Sequence, residues 1–305
     1  MCKKMKIFKY LNNFQLLRSV LLAHLGRFLS DEQYISLKWR NCMGYKLDLK
    51  SPQTFNEKLQ WLKLYDRDPI YTKLVDKFEV KDFISDKIGE EYVIPTIGVW
   101  DDVESIDWNK LPDQFVLKCT HDSGGLVICR DKNTLDIKQA KKKLSKSMSF
   151  DFYKAGREWP YKNVRRRIIA EKYMEDETGE LRDYKFFCFN GKVKALFIAT
   201  GRSKGSHNVK FDFFDDNFNH LPFTNGHPNA DELPQKPQEF MKMKQLAEVL
   251  AEGIPHVRVD FYEVRNQIYF GEMTFYHWSG MVPFKPNEWD YIFGSWLKLP
   301  SEQNY

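Results

Sequence analysis

"VRVDFYEVRNQIYFGEMT", residues 257–274, reads as two strands joined by a turn centred on Asn266. Apolar and polar residues alternate along it, the mark of a half-buried hairpin. Val257, Val259 and Phe261 then share the apolar face with Tyr269, Gly271 and Met273, while Arg258, Asp260, Tyr262, Glu272 and Thr274 take the other. In that register Asp260 and Glu272 face each other, with Cβ atoms about 5 Å apart. Two carboxylates so close repel, and one takes up a proton unless positive charge lies between them. A hard divalent ion meets this need, because Mg²⁺ takes one or two carboxylates and fills its shell with water and phosphate oxygens. A surface-facing Arg–Asp–Glu cluster is the plainer alternative.

The 305 residues are 42% hydrophobic and 15% aromatic, which suits packed lobes and excludes a disordered chain. With 47 basic and 42 acidic residues, the net charge of +5 leans toward anionic partners without the strong basic excess of a nucleic-acid binder. The five cysteines, Cys2, Cys42, Cys119, Cys129 and Cys188, show neither paired spacing nor histidine neighbours and read as reduced core thiols of a cytosolic protein. No run approaches the roughly 20 apolar residues that span a bilayer. "LLRSVLLAHLGRFL" (16–29) is interrupted by Arg18, His24 and Arg27, and no small-residue cleavage site follows. An amphipathic helix packed on the domain is expected there. With Lys3, Lys4, Lys6 and Lys9 before it, a basic helix resting on an anionic membrane surface is the second reading.

The first third reads helical. Ser30 with Gln33, and Thr54 with Glu57, are spaced as capping boxes. Phe55, Leu59, Leu62 and Leu64 fall near one face of the helix that follows, and another helix is expected over 72–88 with Gly89 as its stop. From Tyr92 short apolar runs take over: "YVIPTIGVW", "FVLKCT", "LVICR", then, after a basic helix in "DIKQAKKKLSKSM", "RIIAEKYM", "DYKFFCFNGKVKALFIAT" and "NVKFDFFD". Asn190-Gly191 between two alternating runs is a strong hairpin signal. Residues 215–236 read as a long loop and 237–252 as a helix. Helices first, then hairpins with interspersed helices, make the class α+β.

Three further stretches carry chemistry-bearing residues. In "FVLKCTHDSGGLVICR" (115–130) a strand ends at Lys118 and a loop of Ser123, Gly124 and Gly125 follows, where exposed N–H groups and a nearby ammonium suit a phosphate. An ordinary hairpin turn is the competing reading. "EKYM" puts Glu171 and Lys172 before Tyr173 and Met174, an arrangement able to meet a purine edge or simply to be a half-buried strand. "LRDYKFFCF" sets Asp183 and Lys185 on one face, an acid for a ribose hydroxyl and an ammonium for a phosphate, or a solvated strand face.

In this order, the set resembles the ATP-grasp superfamily, and most of all its TupA-like (teichuronopeptide biosynthesis) branch, found in cell-surface polysaccharide loci. The resemblance runs from about Leu47 to Trp296 and includes "TFNEKLQWLKLYDRDP" near the start. It implies an ATP-grasp fold, two α+β lobes holding ATP between antiparallel sheets behind a short helical N-terminal segment. The implied division is 1–71 helical, 72–112 the first part of the core, 113–170 a glycine-flap subdomain and 171–305 the catalytic lobe. Lys77 and Lys118 match the nucleotide-binding lysines, with Ser123, Gly124 and Gly125 as the flap over the phosphates. Glu171, Lys172, Tyr173 and Met174 match the adenine hinge, and Asp183 the ribose-binding acid. Asp260 and Glu272 match the metal ligands, and Arg258, with Lys118 and Lys185, the groups that neutralise the transferring phosphoryl. "GEMTFYHWSGM" stands for the superfamily's Glu-x-Asn-x-x-x-Gly run, with Thr274 in place of the Asn and an acceptor side at His277, Trp278, Ser279 and Gly280. Arg202, Lys204 and Lys210 are candidates for a mobile-loop cation.

What the resemblance implies is a ligase that uses ATP and Mg²⁺ to join a carboxylate to an amine through an acyl phosphate. The implied substrate is an anionic sugar or amino acid, free or lipid-linked, of capsule or related polysaccharide assembly, handled in the cytoplasm or at the inner membrane face. A nucleic-acid partner is not expected. Lys141–Lys143, Arg165–Arg167 and "GRSKG" (201–205) offer basic patches to anionic glycans or are solvated faces. A glycosyltransferase, a glycan kinase and a non-catalytic glycan-binding relative are the alternatives.

Overall fold

The computed structural model describes residues 19, 22, 24–202 and 208–300. Of the expected helix over 16–29 the described residues are 19, 22 and 24–29, helical at 19, 22, 24 and 25 and ending in a 3₁₀ turn over Gly26–Phe28. The basic residues before it, Cys2 and Lys204 lie outside the described residues. In chain order the helices Asp31–Met43, Phe55–Tyr65, Ile70–Val75 and Val80–Ile88 precede strand β1 (Thr96–Trp100). Then come β2 (Phe115–Cys119), β3 (Leu126–Cys129), the helices Ile137–Met148 and Phe152–Gly156, and β4 (Ile168–Lys172). β5 (Asp183–Phe189), β6 (Lys192–Thr200), β7 (Lys210–Asp215), β8 (His220–Leu221) and β9 (Thr224–Asn225) follow. The helix Phe240–Leu250, β10 (His256–Val264), β11 (Gln267–Thr274), β12 (Phe284–Lys285) and the helix Glu288–Trp296 complete the order.

Both capping boxes form as spaced. Ser30 and Gln33 exchange side-chain and backbone bonds, as do Thr54 and Glu57. The single helix expected over 72–88 is instead two. Asp76 turns its carboxylate onto the N–H groups of Phe78 and Glu79, which ends the first helix and restarts the chain as the second. That break places Lys77, whose N–H bonds to the Thr120 carbonyl, beside the loop after β2. Cys119, Cys129 and Cys188 are buried thiols as expected, but Cys42 is exposed.

Two antiparallel sheets form two cores. One is ordered β1-β4-β2-β3, the other β11-β10-β5-β6-β7-β8. The smaller core packs Phe115, Leu117, Ile168 and Ala170 against Ala140 and Leu144 of the basic helix. β1, grouped above with 72–112, pairs along β4 and so is part of this flap sheet, which itself runs through residues 170 and 171 to Lys172. In the larger sheet Val257, Val259 and Phe261 pack with Phe186 and the Phe240–Leu250 helix, while the helices Phe55–Tyr65 and Glu288–Trp296 cover the opposite face near Phe187 and Phe189.

The deciding hairpin pairs Asp260 against Glu272 as expected, but its turn is the two residues Arg265 and Asn266, both left-handed, and not one centred on Asn266. Strict register from that turn would have set Asp260 against Gly271. Its return strand differs from strict alternation. The register slips between Asp260 and Phe261, so Gly271 is an extra residue and the buried positions are Ile268, Phe270 and Met273, not Tyr269 and Gly271. A Cβ at Gly271 would meet the Asp260 carbonyl and the Tyr262 ring, each at 3.1 Å. A side chain there would have to push both aside by a few tenths of an ångström.

His256 opens β10 among the rings of Phe55, Phe187 and Phe189. Its Nδ1 bonds the Cys188 carbonyl at 2.8 Å and Nε2 has no partner. Burial holds its pKa down at about 3, the Cys188 bond opposing. A histidine kept neutral in the fold but protonated in the unfolded chain withdraws stability as pH falls from about 6.5 toward 3. His256→Phe should therefore flatten the acid limb of a stability–pH curve by up to about 1.4 kcal/mol per pH unit. Denaturant midpoints at neutral and acid pH measure this, and parallel curves for the two proteins would refute it.

Candidate active site

Between the two sheets lies a cavity of about 540 Å³, within the usual range for ligand sites. Its two ends differ in chemistry. At one, Ile94, Val116, Ile128, Tyr173 and Met174 make an apolar slot; at the other, Lys77, Lys118, Lys185 and Arg202 stand with Glu272. The glycine loop closes one side. A Cβ at Gly125 would lie 2.7 Å from Cys119 Sγ, whereas one at Gly124 would meet nothing within 4 Å. The glycine needed for close packing is therefore the second, Gly125, and Gly124 faces open space. Asp122 shapes the loop: its carboxylate accepts the Gly125 N–H and the Ser147 hydroxyl, and its carbonyl accepts from Lys77 Nζ.

Strand order builds the charged end. β5, β10 and β11 are neighbours, and Lys185, Asp260 and Glu272 occupy successive positions of one transverse row. The positive charge between the two acids is supplied by the chain itself. Arg258 Nε donates to Asp260 Oδ1 at 2.7 Å, and its Nη2 reaches Asp260 Oδ2 at 2.7 Å, Glu272 Oε1 at 3.1 Å and Thr274 Oγ1 at 3.0 Å. Lys185 Nζ also donates to Asp260. Asp260 is wholly buried behind these cations, whereas the Glu272 side chain is 38% exposed and borders the cavity. Burial works to raise the Glu272 pKa, but Lys185, Lys77 and Arg258 outweigh it and hold the group at about 2. Burial pushes Asp260 upward against Arg258 and Lys185.

Glu171 lies with its carboxylate turned between two lysines, Lys118 and Lys81, each 2.6 Å away. Burial favours the acid form, yet the two lysines outweigh it and keep Glu171 below the usual carboxylate range. Both its oxygens are thus engaged by ammonium groups, while Lys172, Tyr173 and Met174 border the cavity. Asp183 is buried and paired with Arg202, with Lys185 at 3.5 Å. His277, Ser279 and Gly280 are not brought to the cavity. His277 bridges Arg258 and Asn225, and Ser279 and Gly280 give their carbonyls to the Phe55–Tyr65 helix. Trp278 is 40% exposed, stacked on Phe211. Arg167, counted above in a basic patch, is buried between Asp76 and Glu79.

Sequence reading missed Lys81 and Asp122, and it placed Tyr262 on the polar face of the hairpin without giving it a part in the site, whose wall it forms. Helical spacing from Lys77 could not have found Lys81, because Lys77 lies in the break between the two helices and Lys81 in the second of them. Nothing local marked Asp122.

Among the described residues no group of three or more His, Cys, Asp or Glu side chains can hold a metal ion. Two acids, one of them buried behind cations, do not cage a resident ion. They do fit Mg²⁺ that arrives with phosphate oxygens and keeps much of its own water.

Two sheets closing on a cavity with an apolar slot at one end and lysines, an arginine and an acid at the other define the ATP-grasp class of nucleotide-using enzymes. The chain belongs to the TupA-like ATP-grasp family, whose model matches residues 57–298, from the first turn of the Phe55–Tyr65 helix to just past the last helix. Among solved structures it is similar to D-alanine–D-alanine ligase from Bacillus anthracis complexed with ATP (14% identity, 66% of this chain and 53% of that one, TM-score 0.40). It is also similar to the D-alanine–D-alanine ligase of Helicobacter pylori (11%, 80% and 69%, TM-score 0.44). A third is the ADP complex of purK, N5-carboxyaminoimidazole ribonucleotide synthetase (16%, 81% and 57%, TM-score 0.44). The chain thus spans about half the length of the Bacillus anthracis ligase. No curated protein matches the sequence.

Proposed function

We propose that this protein is an ATP-dependent carboxylate–amine ligase that uses Mg²⁺ and modifies a cell-surface polysaccharide or its sugar-acid precursor. The observation that carries the reading is the two-ended cavity with Glu272 at its cationic end. The nucleobase would lie between Tyr173, Met174 and the aliphatic wall, and the triphosphate would run toward Lys77, Lys118, Lys185 and Arg202. Glu272, with Asp260 behind it, would hold Mg²⁺, which when bound supplies charge neutralisation for the phosphates. Phosphoryl transfer is mostly positioning and charge neutralisation. The chain's part is to keep four cations around the phosphates, to keep Glu272 anionic, and to exclude water beneath the glycine loop. The sugar-acid substrate and a place at the cytoplasmic face of the membrane follow from the family's company in polysaccharide loci, and the net charge of +5 suits an anionic substrate. Among the described residues no helix is long and apolar enough to cross a membrane.

The test is incubation with Mg-ATP and candidate uronic and amino acids, followed by hydroxylamine. ADP release that depends on the carboxylate, with hydroxamate formed, is expected. ADP with a phosphorylated glycan would replace this reading by a kinase, and no nucleotide binding would end it. A narrower expectation concerns Lys118. Lys118→Met removes a charge from the phosphate end and should weaken ATP binding about tenfold or more, the scale of one charge-assisted contact, while sparing adenosine. Calorimetric titration with both ligands reads the difference, and an equal loss for both would overturn it.

A further inference from the structure

The Phe55–Tyr65 helix buries two faces of opposite character. Phe55, Leu59 and Leu62 enter the large core, as an amphipathic helix should. Asn56, Gln60 and Lys63, spaced i, i+4, i+7 along a second stripe, are buried as well. Burying three polar side chains costs free energy unless each finds partners, and apolar residues would pack such a face more cheaply. Here they do find partners, and these are chiefly the backbone after His277.

Asn56 Nδ2 donates to the Val282 carbonyl at 3.1 Å and to Asp290 at 2.9 Å. Gln60 Nε2 donates to the carbonyls of Ser279 at 3.1 Å and Gly280 at 2.9 Å. Lys63 Nζ donates to the Ser279 carbonyl at 2.7 Å, the Ser279 hydroxyl at 2.8 Å and the Gly156 carbonyl at 3.0 Å, with the buried Glu158 beside it as counter-charge. The segment they hold is strained. Trp278, Ser279 and Gly280 stand in succession at φ of 49°, 56° and 59°. Left-handed backbone at a residue other than glycine persists only where the surroundings over-determine it.

This turn leads directly into the charged site. His277, at its head, accepts from Arg258 Nη1 on Nδ1 at 2.9 Å, which leaves Nε2–H to donate to Asn225 Oδ1 at 3.0 Å. Asn225 in turn donates to the Val282 carbonyl that Asn56 also holds. Arg258 is the group that touches both Asp260 and Glu272.

We propose that Asn56, Gln60 and Lys63 are positioning residues: they hold the strained 278–280 turn by its carbonyls and, through His277, set the place of the Arg258 guanidinium against the two acids. The helix ahead of the nucleotide-binding lobes is thus a brace for the charged end of the cavity.

The test uses Gln60→Met and the charge-balanced pair Lys63→Met with Glu158→Gln, since Lys63→Met alone strands a buried carboxylate. Lys58→Met is the control, because Lys58 also bonds backbone carbonyls, those of Gly294 and Leu297, from a different face of this helix. One readout rests on the function proposed above: the ratio of ATP affinity with Mg²⁺ to that in EDTA, by calorimetry. Both brace variants should lower that ratio at least tenfold and leave Mg-free ATP affinity within twofold, while Lys58→Met lowers the melting temperature and keeps the ratio. The other readout needs no nucleotide: the ring ¹⁵N shifts of His277, assigned in labelled protein, should show protonated Nε2 with Nδ1 accepting, and should change in the brace variants only. If wild type shows no Mg-dependent ATP binding, the ligase reading fails and the ring shifts alone decide the brace. Folded brace variants with unaltered ring shifts, or an equal change in Lys58→Met, would overturn it.

Discussion

Arg258→Met should cost about 3–5 kcal/mol of folding stability, the usual toll for removing one partner of a buried ion pair. The guanidinium donates to Asp260, Glu272 and Thr274 and is itself bonded to His277, so its loss leaves a fully buried Asp260 with Lys185 as its one remaining cation contact, facing a carboxylate that Lys185 and Lys77 must then offset. Denaturant unfolding measures the loss. The double variant Arg258→Met/Asp260→Leu should recover much of it, since the stranded charge goes with the arginine and Lys185 still has Asp183 at 3.5 Å. A single variant within about 1 kcal/mol of wild type, the cost of an average point mutation, would show that the two acids do not depend on Arg258.

Glu272→Gln should leave the fold intact and lower carboxylate-dependent ADP release at least about a hundredfold, the scale on which a group acting on transition-state charge is felt. The change is isosteric at a half-exposed site, so ATP binding without Mg²⁺ should persist while the gain from Mg²⁺ disappears. A pH signature accompanies it. The wild-type carboxyl is depressed to about 2 in the fold, so its favourable contribution is complete above the unfolded value near 4.5 and drains away as pH falls from there toward 2. The variant should lack that part of the acid limb. Full turnover in Glu272→Gln would remove the metal assignment.

How much of this could be read from residue order depends on the range of each interaction. Asn190-Gly191 announces the β5–β6 hairpin directly, whereas the Asp260–Glu272 pairing needs both the two-residue turn at Arg265-Asn266 and the extra residue at Gly271, which moves the partner of Asp260 from 271 to 272. Thr54 and Glu57 mark a helix start because both bonds of a capping box close within four residues. The failures have a common cause as well. The helix over 72–88 breaks because Asp76 bonds forward to Phe78 and Glu79 and across to Arg167, and the second of those bonds spans most of the flap lobe. The bulge at Gly271 inverts the buried face of half a strand, a slip that alternation cannot reveal. Glu171 looks like a residue that faces a base until two lysines from separate elements, Lys81 and Lys118, take its oxygens.

Taken alone, the amino-acid order determined the α+β class, the hairpins, the glycine loop and a pair of acids that had to be reconciled with positive charge. Only the tertiary structure decided what reconciles them. Lys185 reaches Asp260 because β5 lies beside β10, a pairing that joins positions 75 residues apart. Turns and caps are settled by bonds among chain neighbours. Charge partners across a sheet are settled by which strands come to lie side by side, and that depends on the burial of the whole core.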